Sequence, residues 1–231
     1  MGPQPGLFAT SLMMPDYVDI SVHAFPEGAD TPKRLNLVAR SLGFTAIGLI
    51  THSPYWSQFS DSNAILGIEI VAHSVRDLRK KIAFFSDTAA VISVHGGDEQ
   101  INRAACSDDR VDLLMHPERG KRGGLNQVTA KIAEKNGVAL GLSFGYFWKK
   151  GQVARSRLLA FQHQNVVLCQ KFGVQIVITS DAYSHFDLRA PRQLKALARL
   201  LPLEDTEATA ALSSVPRNII KRSTQKEEER V

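Results

Sequence analysis

The sequence predicts an α/β protein: a TIM-barrel-like (β/α) barrel of about seven strand–helix units followed by C-terminal helices. Three observations lead there. Apolar segments of strand length alternate with amphipathic helical segments along the chain, and most of the strands are apolar on both faces, as in Val91-Ile92 and Ile176-Val177-Ile178. Strands buried on both faces belong to a parallel sheet covered by helices. No GxGxxG follows the first strand, which argues against a doubly wound dinucleotide-binding sheet. No linker rich in Pro, Gly or Ser divides the sequence, so residues 1–231 are expected to form a single barrel domain with flexible ends near 1–14 and 224–231.

Each element has a local reason. Tyr17 to Val22 is the first strand and runs into His23. Thr31 as N-cap and Pro32 at the first helical position open a helix that Gly43 closes. Leu35, Val38, Ala39 and Leu42 give that helix its core-facing stripe. The second strand, Phe44 to Ile50, ends at Thr51-His52; the third, Ile65 to Ala72, carries Glu69 and ends at His73. Ser74 caps a helix from Val75 to Phe85.

The stretch from Ala89 to Pro117 reads as strand, Gly96-Gly97 turn, short helix and second strand, with His95 and His116 at the two strand ends. Gly124 is expected to start a helix from Leu125 to Asn136, with Gly137 as its stop. Val138 to Phe144 is the sixth strand, Gln152 to Phe172 a long basic helix ended by Gly173, and Val174 to Thr179 the seventh strand. Helices near Arg192 to Leu200, Thr206 to Leu212 and Val215 to Arg222 follow, and Thr224 to Val231 reads as a frayed charged tail.

With 44% apolar and 22% charged residues the composition is that of an ordinary globular protein. No apolar run approaches the roughly 20 residues of a membrane span. The Met1-Gly2-Pro3-Gln4-Pro5 start lacks the pattern of a signal peptide, and Gly6 stands where a myristoylation signal needs Ser or Thr. A cytoplasmic location is expected, with Cys106 and Cys169 as buried free thiols. The net charge of +5 permits an anionic partner without requiring one.

In (β/α) barrels the C-terminal strand ends carry the chemistry. His23, His52, His73, His95 and His116 each follow a strand, His185 lies in the loop after the seventh, and Glu69 and Asp181 join them. Imidazoles and carboxylates converging on one rim are what a divalent metal needs. The pattern resembles the polymerase-and-histidinol-phosphatase (PHP) family of metal-dependent phosphoesterases. His23, His52, Glu69, His116 and Asp181 match that family's motifs in Asp19-Ile20-Ser21-Val22-His23, Thr51-His52, Gly67-Ile68-Glu69, His116-Pro117 and Ser180-Asp181-Ala182-Tyr183. Ser21 and Tyr183 stand where the family has histidines, and Thr51-His52 lacks an Asp. The cluster of His23, His52, Glu69, His95, His116 and Asp181 therefore reads as a degraded metal rim, with no metal expected and no catalytic residue assigned.

A second set of residues is basic. Arg103, Arg119, Lys121, Arg122, Lys149, Lys150, Arg155, Arg157, Arg189 and Arg192 gather around loops and helix starts of the second half, several beside glycines. Guanidinium groups next to glycine backbone can approach phosphate oxygens closely. Little aromatic interleaving accompanies the loop from Arg119 to Gly124, so backbone and shape recognition of a structured RNA is expected instead of base readout. Arg79-Lys80-Lys81 and Lys221-Arg222 read as solvated charge.

Three segments together carry a sharper resemblance: Ile92 through Asn102-Arg103-Ala104-Ala105-Cys106 to His116-Pro117; Gly124-Leu125-Asn126; and Thr179 to Arg192, followed by Val215-Pro216-Arg217-Asn218-Ile219-Ile220. From Tyr17 to Arg222 the chain resembles the thirty-kilodalton subunit family of ribonuclease P, that of archaeal protein component 3. The resemblance implies a PHP-like barrel and a role in the ribonucleoprotein that removes the 5′ leader of precursor tRNA. It also implies that catalysis belongs to the RNA with its Mg²⁺, and that the partners are RNase P RNA, precursor tRNA, protein component 2 and other RNase P proteins. Asn102 and the ten basic residues above are the candidate RNA contacts. The competing reading is a stand-alone PHP-type phosphoesterase.

Overall fold

The structure, a computed structural model, describes residues 15–53, 65–119, 124–148 and 151–228. Seven strands form one parallel sheet in sequence order: β1 (Tyr17–Val22), β2 (Phe44–Thr51), β3 (Ile65–Ile70), β4 (Val91–His95), β5 (Leu113–Met115), β6 (Ala139–Ser143) and β7 (Ile176–Thr179). The helices α1 (Pro32–Ser41), α2 (Val75–Phe85), α3 (Glu99–Cys106), α4 (Gln127–Asn136), α5 (Gly145–Trp148), α6 (Gln152–Phe172), α7 (Pro191–Ala198) and α8 (Asp205–Leu212) lie between and after them. A last helix, α9, spans Ser214–Glu228. Because every strand runs the same way, all seven C-terminal ends meet at one rim.

The barrel closes between β1 and β7 with little backbone pairing. A single bridge joins Val22 and Ala182, supported by His23 N–H donating to the Ala182 carbonyl at 2.8 Å. Side chains complete the seam. Thr179 Oγ1 lies 2.5 Å from Asp19 Oδ1 and 3.0 Å from the Ser21 carbonyl, and the Ser180 N–H reaches both Asp19 oxygens at 3.2 Å. Asp19 is wholly buried. Burial pushes its carboxyl up to about 6, against the opposing hydrogen bonds from Ser180 and Thr179.

The core has two layers. Leu35, Ala39, Leu78, Ile82, Ala105 and Leu194 from the helices pack on the outer face of the sheet. Inside the barrel Val18, Ile20, Ile50, Val91, Leu113, Met115, Ala139 and Val177 pack with Ile219 of α9. A Cβ at Gly141 would lie 2.1 Å from Met115 Sδ, so the sixth strand is bare there because Met115 fills the space. α9 plugs the end opposite the rim and is tied there by ion pairs from Arg217 to Asp16 and from Arg222 to Asp112. Cys106 and Cys169 are buried free thiols, each pushed up to about 12 by burial. None of the described helices is long and apolar enough to cross a membrane.

Several boundaries differ from the sequence expectations, among them the start of β7, at Ile176 instead of Val174. The helix expected from Leu125 starts at Gln127, because Asn126 is its N-cap and accepts the Thr129 N–H, while Gly124 adopts φ +107° in the loop before it. β3 stops at Ile70, short of Ala72. Gly145–Trp148 adds a short helix. α9 continues through the expected frayed tail to Glu228, in keeping with the helix propensity of its Gln, Lys and Glu residues.

Ile219→Ala would leave a hole where the plug meets the barrel interior. Ile219 is 6% exposed, and truncating a buried Ile costs about 2–5 kcal/mol. Chemical denaturation should show a lowered midpoint with an unchanged slope; a wild-type midpoint would mean that α9 does not seal the barrel.

Candidate functional site

The rim brings six strand-end groups together: His23, His52, Glu69, His95, His116 and Asp181. Two of them, His116 (φ +50°) and Asp181 (φ +52°), sit in left-handed backbone that non-glycine residues rarely adopt, one after β5 and the other after β7. Glu69 is central and buried: its Oε1 accepts from His95 Nδ1 at 2.8 Å, and its Oε2 is 3.5 Å from His52 Nε2. Asp181 accepts from His23 Nε2 at 3.2 Å and from the Ser143 hydroxyl at 2.9 Å, and its Oδ2 is 3.3 Å from His116 Nε2.

Two members of the cluster were not picked out from the sequence. Glu27, in the β1–α1 loop, accepts from the Thr51 hydroxyl (2.6 Å), the His52 N–H (2.7 Å) and His52 Nδ1 (2.9 Å). Ser143 ends β6 and holds Asp181. Ser143 carries the cue that exposed the histidines, a polar side chain at a strand end; Glu27, five residues past β1 in a loop, carries no such signal.

Arg119 follows β5 in the turn Pro117–Arg119 and extends over the cluster. Its Nη1 is 3.0 Å from His95 Nε2, and its Nη2 is 3.4 Å from His116 Nε2. A fixed guanidinium thus sits where two imidazoles present their outer nitrogens.

The charged groups of the cluster shift one another's protonation. Burial alone would raise Glu27, Glu69 and Asp181, but hydrogen bonds from His23 and His52 to Glu27, from His52 and His95 to Glu69, and from His116 and His23 to Asp181 outweigh it. All three are held below the usual carboxylate range. In return, hydrogen bonds to Glu27 and Glu69 push His52 up to about 10. His23 is also raised, burial being outweighed by its bonds to Asp181 and Glu27. Three carboxylates thus face Arg119 and two imidazoles with raised affinity for a proton.

Donor atoms converge within 4.8 Å in His23–Glu27–His52, His52–Glu69–His95 and His23–Glu69–Asp181, three groups that overlap through His23, His52 and Glu69. Ser21 is buried with no hydrogen-bond partner for its hydroxyl among the described residues. The Tyr183 ring lies flat on His23 at 4.1 Å and 12°, and burial raises its phenol, which stays protonated. A phenol stacked on one imidazole and a guanidinium bonded to another do not fit a multinuclear centre.

The remaining expected site residues fall into distinct places. His73 lies off the cluster, its backbone N–H donating to Asp77. His185 belongs to a separate group with Asp30 and Arg34. Asn102, expected among the surface contacts, is 2% exposed: its Oδ1 accepts the Gly97 N–H and its Nδ2 donates to the Pro117 carbonyl. It clamps the loops after β4 and β5 and is not free to meet a partner. Arg103 is exposed on α3 and Arg192 on the first turn of α7. Arg155 and Arg157 on α6 lie over Phe147 (5.7 Å) and Phe161 (5.2 Å). Arg189 Nη1 donates to the carbonyls of Phe186 and Leu188. Lys121, Arg122, Lys149 and Lys150 lie outside the described residues.

A family model described as "RNase P subunit p30" matches residues 16–228. Ribonuclease P protein component 3 of Methanosarcina mazei is 38% identical over 216 residues, which cover 90% of both chains. Among solved structures, a chain in a cryo-EM structure of archaeal ribonuclease P with mature tRNA superposes with a TM-score of 0.77 at 26% identity, covering 89% of this chain and 90% of that one. Metal-dependent tyrosine phosphatases of Bacillus subtilis and Streptococcus pneumoniae share the fold alone, with a TM-score of 0.50 at 14% identity over 84% of this chain and 93% of theirs.

The raised His52 gives a stability signature. A histidine that binds its proton more tightly when folded contributes stability fully present below its ordinary value of 6.5 and lost as pH rises toward about 10. Thermal midpoints should therefore fall more for the wild type than for His52→Gln across that interval. Parallel curves would show that His52 is not held by Glu27 and Glu69.

Proposed function

The chain belongs to the RNase P subunit p30 family, and from that premise we propose how it serves ribonuclease P. It is a protein subunit of the ribonucleoprotein that removes the 5′ leader of precursor tRNA, and its own part is to hold RNA with fixed positive charge while the RNA, with its Mg²⁺, performs the cleavage. The chain alone performs no hydrolysis.

One observation carries this reading. In a (β/α) barrel the helix N-termini open onto the same rim as the strand C-termini, and each bears partial positive charge from its unpaired N–H groups. Acidic residues stabilise that position, yet the first turns of α1, α6 and α7 contain none. They carry Arg34, Arg155 and Arg192 instead, with Arg119 and Arg189 in the loops between. Cations at the wrong end of a helix do not serve the helix. Arg34 pairs with Asp30 yet stays 58% exposed, and with Arg155 and Arg192 it can meet an anion that approaches the rim; a polyphosphate backbone meets many such cations at once.

Phosphates that crowd around a ribozyme's metal sites repel one another, and protein cations placed among them lower that repulsion. Arg103, outside the rim on α3, is a further phosphate contact in this proposal, and Lys121, Arg122, Lys149 and Lys150 are included from the sequence alone. RNase P RNA and precursor tRNA are the nucleic-acid partners, protein component 2 and further RNase P proteins the protein ones, and the cytoplasm the compartment. The rival reading, a PHP-type phosphoesterase, is disfavoured by Tyr183 on His23 and by Arg119 on His95.

Arg103→Ala, Arg155→Ala and Arg192→Ala should each lower precursor-tRNA cleavage by reconstituted enzyme, most at low Mg²⁺. Each lost phosphate contact should make the log K against log salt slope shallower by about 0.7–0.9. An unchanged Mg²⁺ requirement and slope in all three variants would remove the basis of the proposal. The purified chain with Mn²⁺ should not turn over a phosphomonoester; robust turnover would restore the phosphoesterase reading.

A further inference from the structure

The grip on phosphates makes no use of Phe186 and Phe25, two exposed aromatic side chains on neighbouring loops. Phe186 is 77% exposed and Phe25 62% exposed, on the β7–α7 and β1–α1 loops. The two loops are zipped together. Ala29 N–H donates across to the Tyr183 carbonyl at 2.7 Å, while within the β1–α1 loop Phe25 N–H donates to the Asp30 carbonyl at 2.8 Å. The Asp30 carboxylate accepts from both the backbone N–H (2.7 Å) and the Nδ1 (2.8 Å) of His185. Arg34 completes the junction, with Nη2 3.1 Å from His185 Nε2 and Nε 3.2 Å from Asp30.

Phe186 is therefore exposed but not loose. Its ring rests on the His185 ring, centroids 3.9 Å apart and tilted 37°. Its carbonyl is held by Arg189 at 2.6 Å, and Asp187 fastens the turn by accepting from the Tyr183 N–H and the Ser184 hydroxyl. One side of the ring is backed by an imidazole that is itself fixed at both nitrogens. The rest faces water, at the cost of leaving apolar surface unburied.

The surroundings narrow the occupant. The Arg34 side chain is 58% exposed, while the acids of the junction are engaged: Asp30 by His185 and Arg34, Asp187 by Tyr183 and Ser184. A flat apolar ring, pre-organised and bordered by guanidinium charge, matches a ligand that has a flat face and an attached anion. We propose that Phe186, backed by His185 and with Phe25 on the adjoining loop, is a stacking platform for an unpaired RNA nucleobase whose phosphate Arg34 receives. Aromatic stacking is sequence-tolerant and pairs naturally with cationic tracking of the backbone. The proposal rests on the reading that this chain holds RNA, and it adds base contact to a surface for which the sequence indicated backbone contact alone.

The test uses RNase P reconstituted with RNase P RNA, precursor tRNA and the full chain as wild type, Phe186→Ala, Phe186→Tyr or Arg192→Ala. Unpaired bases are mapped by chemical probing and backbones by hydroxyl-radical cleavage, alongside titration of the chain into the RNA. Phe186→Ala should unmask one or a few unpaired nucleotides and weaken binding about 5- to 150-fold, with the salt slope unchanged. Phe186→Tyr should restore the wild-type pattern, which separates stacking from misfolding. Arg192→Ala should alter backbone protection and salt slope while leaving those bases covered, so failure of the phosphate grip is read independently. Identical base reactivity in wild type and Phe186→Ala would overturn the platform. So would loss of assembly with another protein component at unchanged RNA reactivity, which would make Phe186 a protein contact.

Discussion

Closure at the β1–β7 seam is the constraint on which the rest of the molecule depends. With seven strands, the first and last meet through one backbone bridge, and the gap is spanned by Asp19 reaching Thr179 and Ser180. That join fixes where His23, at the end of β1, stands relative to Asp181, just past β7. The His23–Asp181 contact is therefore a consequence of closure, as is the zipping of the β1–α1 and β7–α7 loops beyond it. Asp19 is in this chain a fastening between strands. Its raised carboxyl reflects the burial that this position requires.

The rim shows how a buried polar cluster satisfies itself. A buried charge without a partner is strongly destabilising. Here partners are supplied residue by residue. Tyr183 covers His23, Ser143 satisfies Asp181, Glu27 takes both the N–H and the ring of His52, and Arg119 supplies a permanent positive charge. Once these contacts are in place, each remaining histidine and carboxylate stabilises its neighbours.

The architecture was legible because its signals are local and repeated. Thr31-Pro32, Ser74, Gly137 and Gly173 mark helix ends in the sequence and do so in the structure, and the doubly apolar strands announced a parallel sheet. The histidine cluster was legible for the same reason, since strand ends in a parallel barrel must converge. What sequence could not convey is partnership. Asn102 carries the polarity of a surface contact, and only the proximity of Gly97 and Pro117 makes it an internal clamp. Glu27 lies in a loop whose path is set by the β7 side of the seam, so its reach to His52 depends on contacts over 150 residues apart in sequence.

Arg119 on His95 and His116 also changes what the rim asks of its surroundings. A guanidinium bonded into the chain has no dissociation constant and cannot be taken away by a chelator. The positive charge beside these two imidazoles is therefore constant, whatever the ionic conditions around the barrel.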